Sequence, residues 1–267
     1  MSLRKIKNFI PYPIKQILKK VSHELNISID SIKGKRKFYH ILVNIVSGRK
    51  CLEIGAFSDI FDRCGYVELY KYVKSLDIVN FSEKTVWENN YSKDDIPKRY
   101  KMIGDYFVND AVNLESIHND IYDCVISSDV LEHIANPIKA LKEWQRITKK
   151  GGYILAVVPD KRHTFDHKRN DTTFQHLIDD YQNDIGEDDL YHLDEILQYH
   201  DLKLDPAAGN FEKFKQRSSD NYNNRCLHHH VFNEIILREI GQYVMLEPVL
   251  IKSYRQRIIA LYKKQTT

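Results

Sequence analysis

Four nearly continuous apolar runs divide the central part of the chain. They extend from Arg49 to Phe57, from Tyr72 to Val79, from Tyr122 to Asp129 and from Tyr153 to Pro159. Strands that are covered on both faces of a parallel sheet have this character, because neither face meets water. The pattern therefore predicts four buried parallel strands.

Helical signals lie between these runs. Ser58-Asp59 follows the first run and is suited to cap a helix. Asn136-Pro137 supplies a cap and a first helical position, apolar residues then recur at helical spacing as far as Ile147, and Lys149-Lys150-Gly151-Gly152 would close the helix. Strands that alternate with helices predict a doubly wound α/β fold.

The end of the chain and the stretch before it have different patterns. A predicted helix, "VFNEIILREIGQ", precedes two closely linked strands, "YVMLEPVLI" and "RIIALYKK", which suit an antiparallel edge of the sheet. Residues 161–230 are rich in His, Asp, Asn and Tyr and contain two possible helices. Since a structureless loop of that length is uncommon, we predict a partly helical insertion there.

Charge separates the beginning of the chain from the rest. The net charge of the 267 residues is +3, whereas residues 1–37 alone hold ten Lys or Arg against Glu24 and Asp30. Between Pro13 and Leu25 the apolar residues recur at helical spacing with lysines between them, which predicts an amphipathic basic helix. This helix either covers the domain or contacts an anionic surface such as a membrane. Specific nucleic-acid binding is not expected, because the remainder of the chain is acidic.

Composition narrows the class of protein. Hydrophobic residues make up 42% and charged residues 29%, as in ordinary globular domains. No apolar run approaches the roughly 20 residues of a membrane helix, and the N-terminus lacks the pattern of a signal peptide. The cysteines are scattered and suit reduced packing residues, so we expect a cytoplasmic protein.

Candidate ligand-binding residues follow the predicted strands. Glu53 and Gly55 end the first strand, Asp77 ends the second, and Ser128 ends the third. Ligands of open α/β sheets bind beyond the carboxyl ends of the strands, where glycine permits a close approach and an acid can accept ribose hydroxyls. A dinucleotide is disfavoured, since Phe57 stands where the GxGxxG pattern has its second glycine and no phosphate loop is present. A nucleoside without phosphates fits better.

Several of these segments resemble a known family. "CLEIGAF", the acid of "SLDIV", "NDAVNL", "YDCVISSDVLEHIANP" and "ITKKGGYILAVVPD", in this order and spacing, resemble class I S-adenosylmethionine-dependent methyltransferases. The resemblance covers about Arg49 to Asp160 and implies a Rossmann-like, mostly parallel seven-stranded sheet with an antiparallel C-terminal strand pair. A second segment, "PDKRHTFD", is similar to members linked with bacterial sugar and surface-polysaccharide modification.

The resemblance implies a role for each matching residue. Glu53 and Gly55 would lie near the methionine part of S-adenosylmethionine, Asp77 would hold its ribose, and Ser128 would lie near the sulfonium. Asp110 and Ala111 would flank the adenine. The implied organisation is a basic extension (1–37), a cofactor-binding core (38–160), an acceptor-binding insertion (161–230), and a helix and strand pair that complete the core (231–267).

The insertion offers residues for the methyl acceptor. Eight of the twelve histidines lie between His163 and His230. A hydroxyl acceptor benefits from a general base, and histidine is the commonest one, so we take His163, His167 and His230 as candidate bases. Lys161, Arg162 and His133 are candidates for binding the substrate, which suits a small anionic or sugar-linked acceptor such as a nucleotide sugar.

Other functions are weighed against methyl transfer. Asp166 with His163 and His167, and the histidines around His228, offer metal ligands, but their spacing matches no defined zinc or iron motif, so no metal is expected. A non-catalytic nucleoside-binding or scaffold protein would use the same turn without chemistry. A nicotinamide-dependent oxidoreductase is disfavoured by the missing pyrophosphate loop.

Overall fold

A mixed sheet runs through the residues that the computed structural model describes, which are 36–63, 65–85 and 103–266. Its seven strands within these ranges are β1 (Lys50–Ile54), β2 (Ser75–Asn80), β3 (Ile103–Val108), β4 (Tyr122–Ser128), β5 (Thr148–Pro159), β6 (Leu246–Tyr254) and β7 (Arg257–Lys264). Their order is β3-β2-β1-β4-β5-β7-β6. The first five are parallel, whereas β7 is antiparallel to both neighbours. The predicted α/β fold class is confirmed.

Helices cover both faces of this sheet. On one face α1 (Arg36–Val46) packs Leu42 and Val46 against the apolar side chains of the strands. The opposite face carries α2 (Pro137–Ile147) and α7 (Glu234–Tyr243), whose apolar sides form a second core layer with the same strands. Trp144 of α2 is completely buried in that layer. Both layers follow from the helical spacing of apolar residues in the sequence.

The insertion between β5 and α7 contains four helices in the described chain. They are α3 (Phe174–Gln182), α4 (Leu193–Tyr199), α5 (Phe211–Ser219) and α6 (Asn221–Asn224). Ile196, Ala208, Phe214 and Leu227 form a small apolar core of its own. α3 and α4 coincide with the two helices that the sequence indicates, while α5 and α6 were not predicted.

Local predictions were wrong at two connections. The helix expected after Ser58-Asp59 is absent from the described residues between β1 and β2, where the carbonyl of Phe61 accepts hydrogen bonds from the backbone N–H groups of Leu69 and Tyr70. In a helix the Phe61 carbonyl would accept a hydrogen bond from the residue four positions later. Here it accepts from residues eight and nine positions later, so the segment forms a wider turn. The segment Lys149 to Gly152, expected as a turn, is part of β5, which begins at Thr148.

The predicted basic helix from Pro13 to Leu25 lies outside the described residues. No helix among the described residues is both long and apolar enough to cross a bilayer.

An ion cluster joins parts of the insertion. The Asp205 carboxylate accepts a hydrogen bond from Nη2 of Arg217 at 3.0 Å and lies 3.3 Å from Nε2 of His200. The nearby imidazole of His200, together with Arg217, lowers the pKa of Asp205 to about 2 against the opposing effect of burial. Asp205 therefore stabilises the folded insertion only while it is ionised.

We expect Asp205→Asn to lower the free energy of unfolding by about 2 kcal/mol at neutral pH. Because the folded-state pKa is depressed, this contribution is fully present above the unfolded pKa and is lost as pH falls through the folded pKa. Urea unfolding at neutral pH and at about pH 2.5 measures the difference. A difference between variant and parent that is unchanged on acidification would contradict the assignment.

Candidate functional site

A cavity of about 680 Å³ opens at the carboxyl ends of the parallel strands. One side is formed by the ends of β1, β2, β4 and β5 and the turns that follow them. The other side comes from the insertion. The residues that the insertion contributes to the cavity wall include Thr164, Phe165, Asp205, Arg217, Arg225 and His228. Cavities of this size accommodate small-molecule ligands, and this end of the sheet is where open α/β folds bind them.

The turn after β1 forms one wall of the cavity. Gly55 has a φ of +76°, and a Cβ atom there would come within 2.2 Å of Cγ2 of Val130. Only glycine combines this positive φ with the absence of a Cβ atom that would clash with Val130. Glu53 lies beneath this turn and does not line the cavity, since its buried carboxylate accepts hydrogen bonds from the Tyr70 hydroxyl and from the backbone N–H of Ser58. Its observed role is to hold the turn.

Asp77 does not occupy the position predicted for it. The carboxylate lies within β2, where it accepts hydrogen bonds from the Tyr122 hydroxyl at 2.9 Å and the Asp105 backbone N–H at 3.0 Å, and pairs with Nζ of Lys50 at 2.9 Å. The strand ends three residues later, at Asn80, which lines the cavity and donates from Nδ2 to the carbonyl of Ala56. Asn80, and not Asp77, is therefore the polar residue of β2 that faces the cavity.

The remaining core predictions do reach the cavity. Asp110, Ala111 and Ser128 line it. Oδ1 of Asp110 accepts from the backbone N–H of Val112, which fixes the turn after β3. The Ala111 carbonyl accepts from Nε1 of Trp144, so that turn is anchored to α2.

Most of the predicted acceptor residues lie elsewhere. His163 and His167 are exposed and do not line the cavity, and Nε2 of His167 contacts the Asp201 carboxylate at 3.1 Å. Lys161 pairs with Asp171, and Arg162 pairs with Asp160 at the end of β5. The chain turns outward after Pro159 in the 3₁₀ turn Lys161–His163, which carries these side chains away from the cavity.

His230 does not line the cavity either. Its side chain is buried and Nε2 lies 3.1 Å from the carbonyl of Ala135. Burial lowers its pKa well below the usual range. Of the three consecutive histidines it is His228 that lines the cavity. Which of three adjacent histidines faces a ligand depends on the packing of the insertion, which their spacing does not reveal.

His228 and Asp166 form a buried pair on the insertion side of the cavity. Nδ1 of His228 lies 2.5 Å from Oδ2 of Asp166, and Nη1 of Arg169 contacts Oδ1 of the same carboxylate at 3.2 Å. Burial raises the pKa of Asp166, but the charges and hydrogen bonds of His228 and Arg169 outweigh it and lower that pKa to about 2. An ionised Asp166 accepts a hydrogen bond from Nδ1–H of His228, and in this tautomer of the neutral imidazole the lone pair is on Nε2.

His133 is the predicted acceptor residue that does line the cavity. Its Nδ1 lies 3.0 Å from the carbonyl of Leu227, and its ring packs edge to face on His228 with centroids 4.5 Å apart. Burial lowers the pKa of His133 well below the usual range. Beside it, Glu132 is buried in the cavity wall, and neither of its carboxyl oxygens has a hydrogen-bond partner in the described part of the chain. Burial raises the pKa of Glu132, and Asp129 adds to that effect.

The arginines of the cavity are already paired with carboxylates. Nη2 of Arg225 contacts Asp110 at 3.1 Å, and its Nη1 contacts Glu187 at 3.2 Å. Arg217 pairs with Asp205, and Arg257 pairs with Asp129 at 2.7 Å. Sequence reasoning missed these residues because each lies far along the chain from its partner.

Comparison with known proteins agrees with this geometry. Residues 35–204 match the model of a family described as a methyltransferase domain. The chain belongs to this methyltransferase-domain family. Its cofactor is S-adenosylmethionine. The comparison with curated protein sequences gave no match.

Solved structures of methyltransferases resemble this chain at low sequence identity. An S-adenosylmethionine-dependent methyltransferase from Mesorhizobium loti has a TM-score of 0.50 at 8% identity, over 85% of this chain and 96% of that one. One from Aquifex aeolicus has a TM-score of 0.48 at 12% identity, over 98% of each chain. The CurJ carbon methyltransferase has a TM-score of 0.47 at 12% identity, over 82% of this chain, which spans about half (49%) of that protein. At these identities the likeness describes the fold alone.

The residues of the methyltransferase cavity fit this cofactor. The described lining residues next to Gly55 are Ala56, Phe57, Ser58 and Asp59, none of which carries the positive charge that a pyrophosphate would need. The buried carboxyl of Glu132 lacks a partner among the described residues, and a cationic ligand such as a sulfonium compound would supply one. Gly55, Asn80, Asp110, Ala111 and Ser128 are the residues that would hold it.

We expect Asn80 and Asp77 to differ when each is changed to Ala. Asn80→Ala removes a polar group from the cavity wall, so the dissociation constant for S-adenosylmethionine should rise about tenfold. Asp77→Ala leaves the buried Tyr122 hydroxyl without its acceptor, so the free energy of unfolding should fall by about 1–3 kcal/mol. Calorimetric titration and urea unfolding of both variants measure the two effects. Weaker cofactor binding by Asp77→Ala alone would restore the original ribose assignment.

Proposed function

We propose that this methyltransferase transfers a methyl group to a hydroxyl oxygen of a small polar, sugar-type acceptor. The observation that carries the proposal is the His228–Asp166 pair, because a histidine oriented by a carboxylate lines the same cavity as the strand-end residues. A general base of this kind assists a neutral hydroxyl acceptor by about 10²- to 10⁴-fold in rate.

Each group has a defined task in this reaction. Bound S-adenosylmethionine supplies an electrophilic methyl group on a positively charged sulfur. Nε2 of His228 takes the proton of the acceptor hydroxyl, while the ionised Asp166 keeps accepting a hydrogen bond from Nδ1–H and stabilises the imidazolium that forms. Arg169, which is buried and contacts both Asp166 and the His228 carbonyl, holds the pair in place. The remaining walls align the acceptor and exclude water.

The charge pattern favours an uncharged polyhydroxyl acceptor over a phosphorylated one. Arg217, Arg225 and Arg257 are the arginines that line the cavity, and each pairs with a carboxylate. An anionic acceptor would have to displace these carboxylates, whereas sugar hydroxyls can donate to them and accept from the guanidinium groups. The anionic acceptor expected from the sequence is therefore the less favoured form. A role in polysaccharide modification is proposed on the "PDKRHTFD" resemblance alone.

His228→Ala should lower kcat by about 10²- to 10⁴-fold and leave the dissociation constant for S-adenosylmethionine unchanged. Transfer of a labelled methyl group to a panel of free sugars, sugar phosphates and nucleotide sugars measures kcat, and calorimetry measures binding. His163→Ala is the matched control, since that histidine is exposed and outside the cavity. Full activity of His228→Ala would rule out this base.

The same panel tests the acceptor class. We expect kcat/KM to be higher for a neutral sugar than for its phosphate, because the cavity arginines are already paired. A preference for the phosphate would favour an anionic acceptor. If S-adenosylmethionine fails to bind at high micromolar concentration, the non-catalytic scaffold becomes the better hypothesis.

A further inference from the structure

Three histidines that methyl transfer does not use meet outside the cavity. They are His176 in α3, His192 at the start of α4, and His230 in the irregular segment before α7. One ligand nitrogen of each lies within 4.8 Å of those of the other two. The ring centroids are 4.8 Å apart for His176 and His192, and 5.8 Å apart for each of the other two pairs. Residues far apart in the sequence thus direct three imidazoles toward one point.

A carboxylate completes this cluster. Oδ2 of Asp180 lies 3.2 Å from Nε2 of His176 and 3.7 Å from Nε2 of His230. Oδ2 is buried and makes no hydrogen bond to any described residue, since its contacts lack hydrogen-bond geometry. The cluster therefore places one buried carboxyl group beside three imidazoles.

The polar atoms of the cluster satisfy one another only in part. Nε2 of His176 and Nε2 of His192 form a hydrogen bond of 2.8 Å, in which one nitrogen donates its proton to the lone pair of the other. His176 Nε2 faces Asp180 as well. Nδ1 of His230 is buried and has no hydrogen-bond partner among the described residues, although the His230 side chain is only 1% exposed. A buried polar atom without a hydrogen-bond partner destabilises the fold, so a common partner for His230 Nδ1 and Asp180 Oδ2 would be stabilising.

We propose that His176, His192 and His230 bind one first-row divalent transition-metal ion, with Asp180 as the adjacent carboxylate. Imidazole nitrogens are preferred ligands of zinc and its neighbours, and sets of three histidines bind zinc in proteins. Nitrogen ligands of tetrahedral zinc lie about 2.0–2.1 Å from the ion and hence about 3.3 Å from one another. The nitrogen–nitrogen distances in the cluster, 2.8 Å for His176 and His192 and at most 4.8 Å for the other pairs, lie on either side of this value. The residue numbers, 176, 192 and 230, match no compact motif, which is why the sequence indicates no metal.

The ion joins three parts of the insertion to the core. α3, the start of α4 and the segment around His230 each supply one ligand. Nε2 of His230 also contacts the carbonyl of Ala135, and Nδ2 of Asn136 donates to the carbonyl of Asp180. Ala135 and Asn136 immediately precede α2 of the core. Because none of the three histidines lines the cavity, the role of the ion is to stabilise the fold.

Metal content of the full chain tests the proposal. Protein dialysed against EDTA is loaded with Zn²⁺ and desalted, and the retained metal is measured by mass spectrometry. We expect about one ion per chain and a higher Tm with Zn²⁺ than after EDTA treatment. Loading with Co²⁺ instead should give the visible absorption of a nitrogen-ligated ion. Retention of no metal by the unmodified chain would overturn the proposal, and this measurement does not depend on any variant that folds poorly.

Variants locate the ion. His192→Ala should weaken zinc binding by more than about tenfold and abolish the Tm shift, since even partners that only support a ligand contribute about 10- to 100-fold. His228→Ala is the control, because His228 belongs to a separate group with Glu132 and His133 whose ligand atoms also lie within 4.8 Å of one another. It should retain the ion. Loss of the ion in His228→Ala with retention in His192→Ala would move the metal to the cavity and contradict the proposal.

Discussion

The parallel register of β1 with its two neighbours is the constraint on which the site depends. Ile54 at the end of β1 lies opposite Val79 of β2 and Ser127 of β4. The three strands therefore end within a residue or two of one another at the same edge of the sheet. Gly55, Asn80 and Ser128 meet at that edge although they are distant in sequence. A shift of one residue in this register would turn these side chains to the opposite face.

Packing of the insertion supplies the other half of the cavity. Arg169 is the main link, since its buried guanidinium contacts Asp166, the carbonyls of His228 and His229, and Glu195 of α4. A buried cation with this many acceptors is compensated for its lost hydration, and removal of one partner would leave the rest uncompensated. The same interactions hold the His228 ring beside the strand ends. Stability of the insertion and geometry of the proposed base thus depend on one set of contacts.

Much of the fold could be predicted from the sequence because its signals are local. Continuous apolar runs gave β1, β2, β4 and β5, the Asn136-Pro137 start gave α2, and the final strand pair gave the antiparallel edge. The end of β2 could not be predicted in this way. "SLDIVN" is apolar on both sides of Asp77, so periodicity alone does not show that the strand continues to Asn80. β3 was missed because half-exposed residues such as Tyr106 interrupt its apolar pattern.

The acceptor side could not be predicted in the same way, because its residues are brought together by tertiary packing. His228, His229 and His230 illustrate this. His228 faces the cavity, Nε2 of His229 bonds with Nδ2 of Asn221 at 3.0 Å, and His230 joins the cluster with His176 and His192. A single short segment thus takes part in three distinct environments. The two residues that follow His228 are thus held by contacts with Asn221 and with the carbonyl of Ala135. The placement of Nε2 that the proposed proton transfer requires is therefore set in part by His229 and His230, which do not line the cavity.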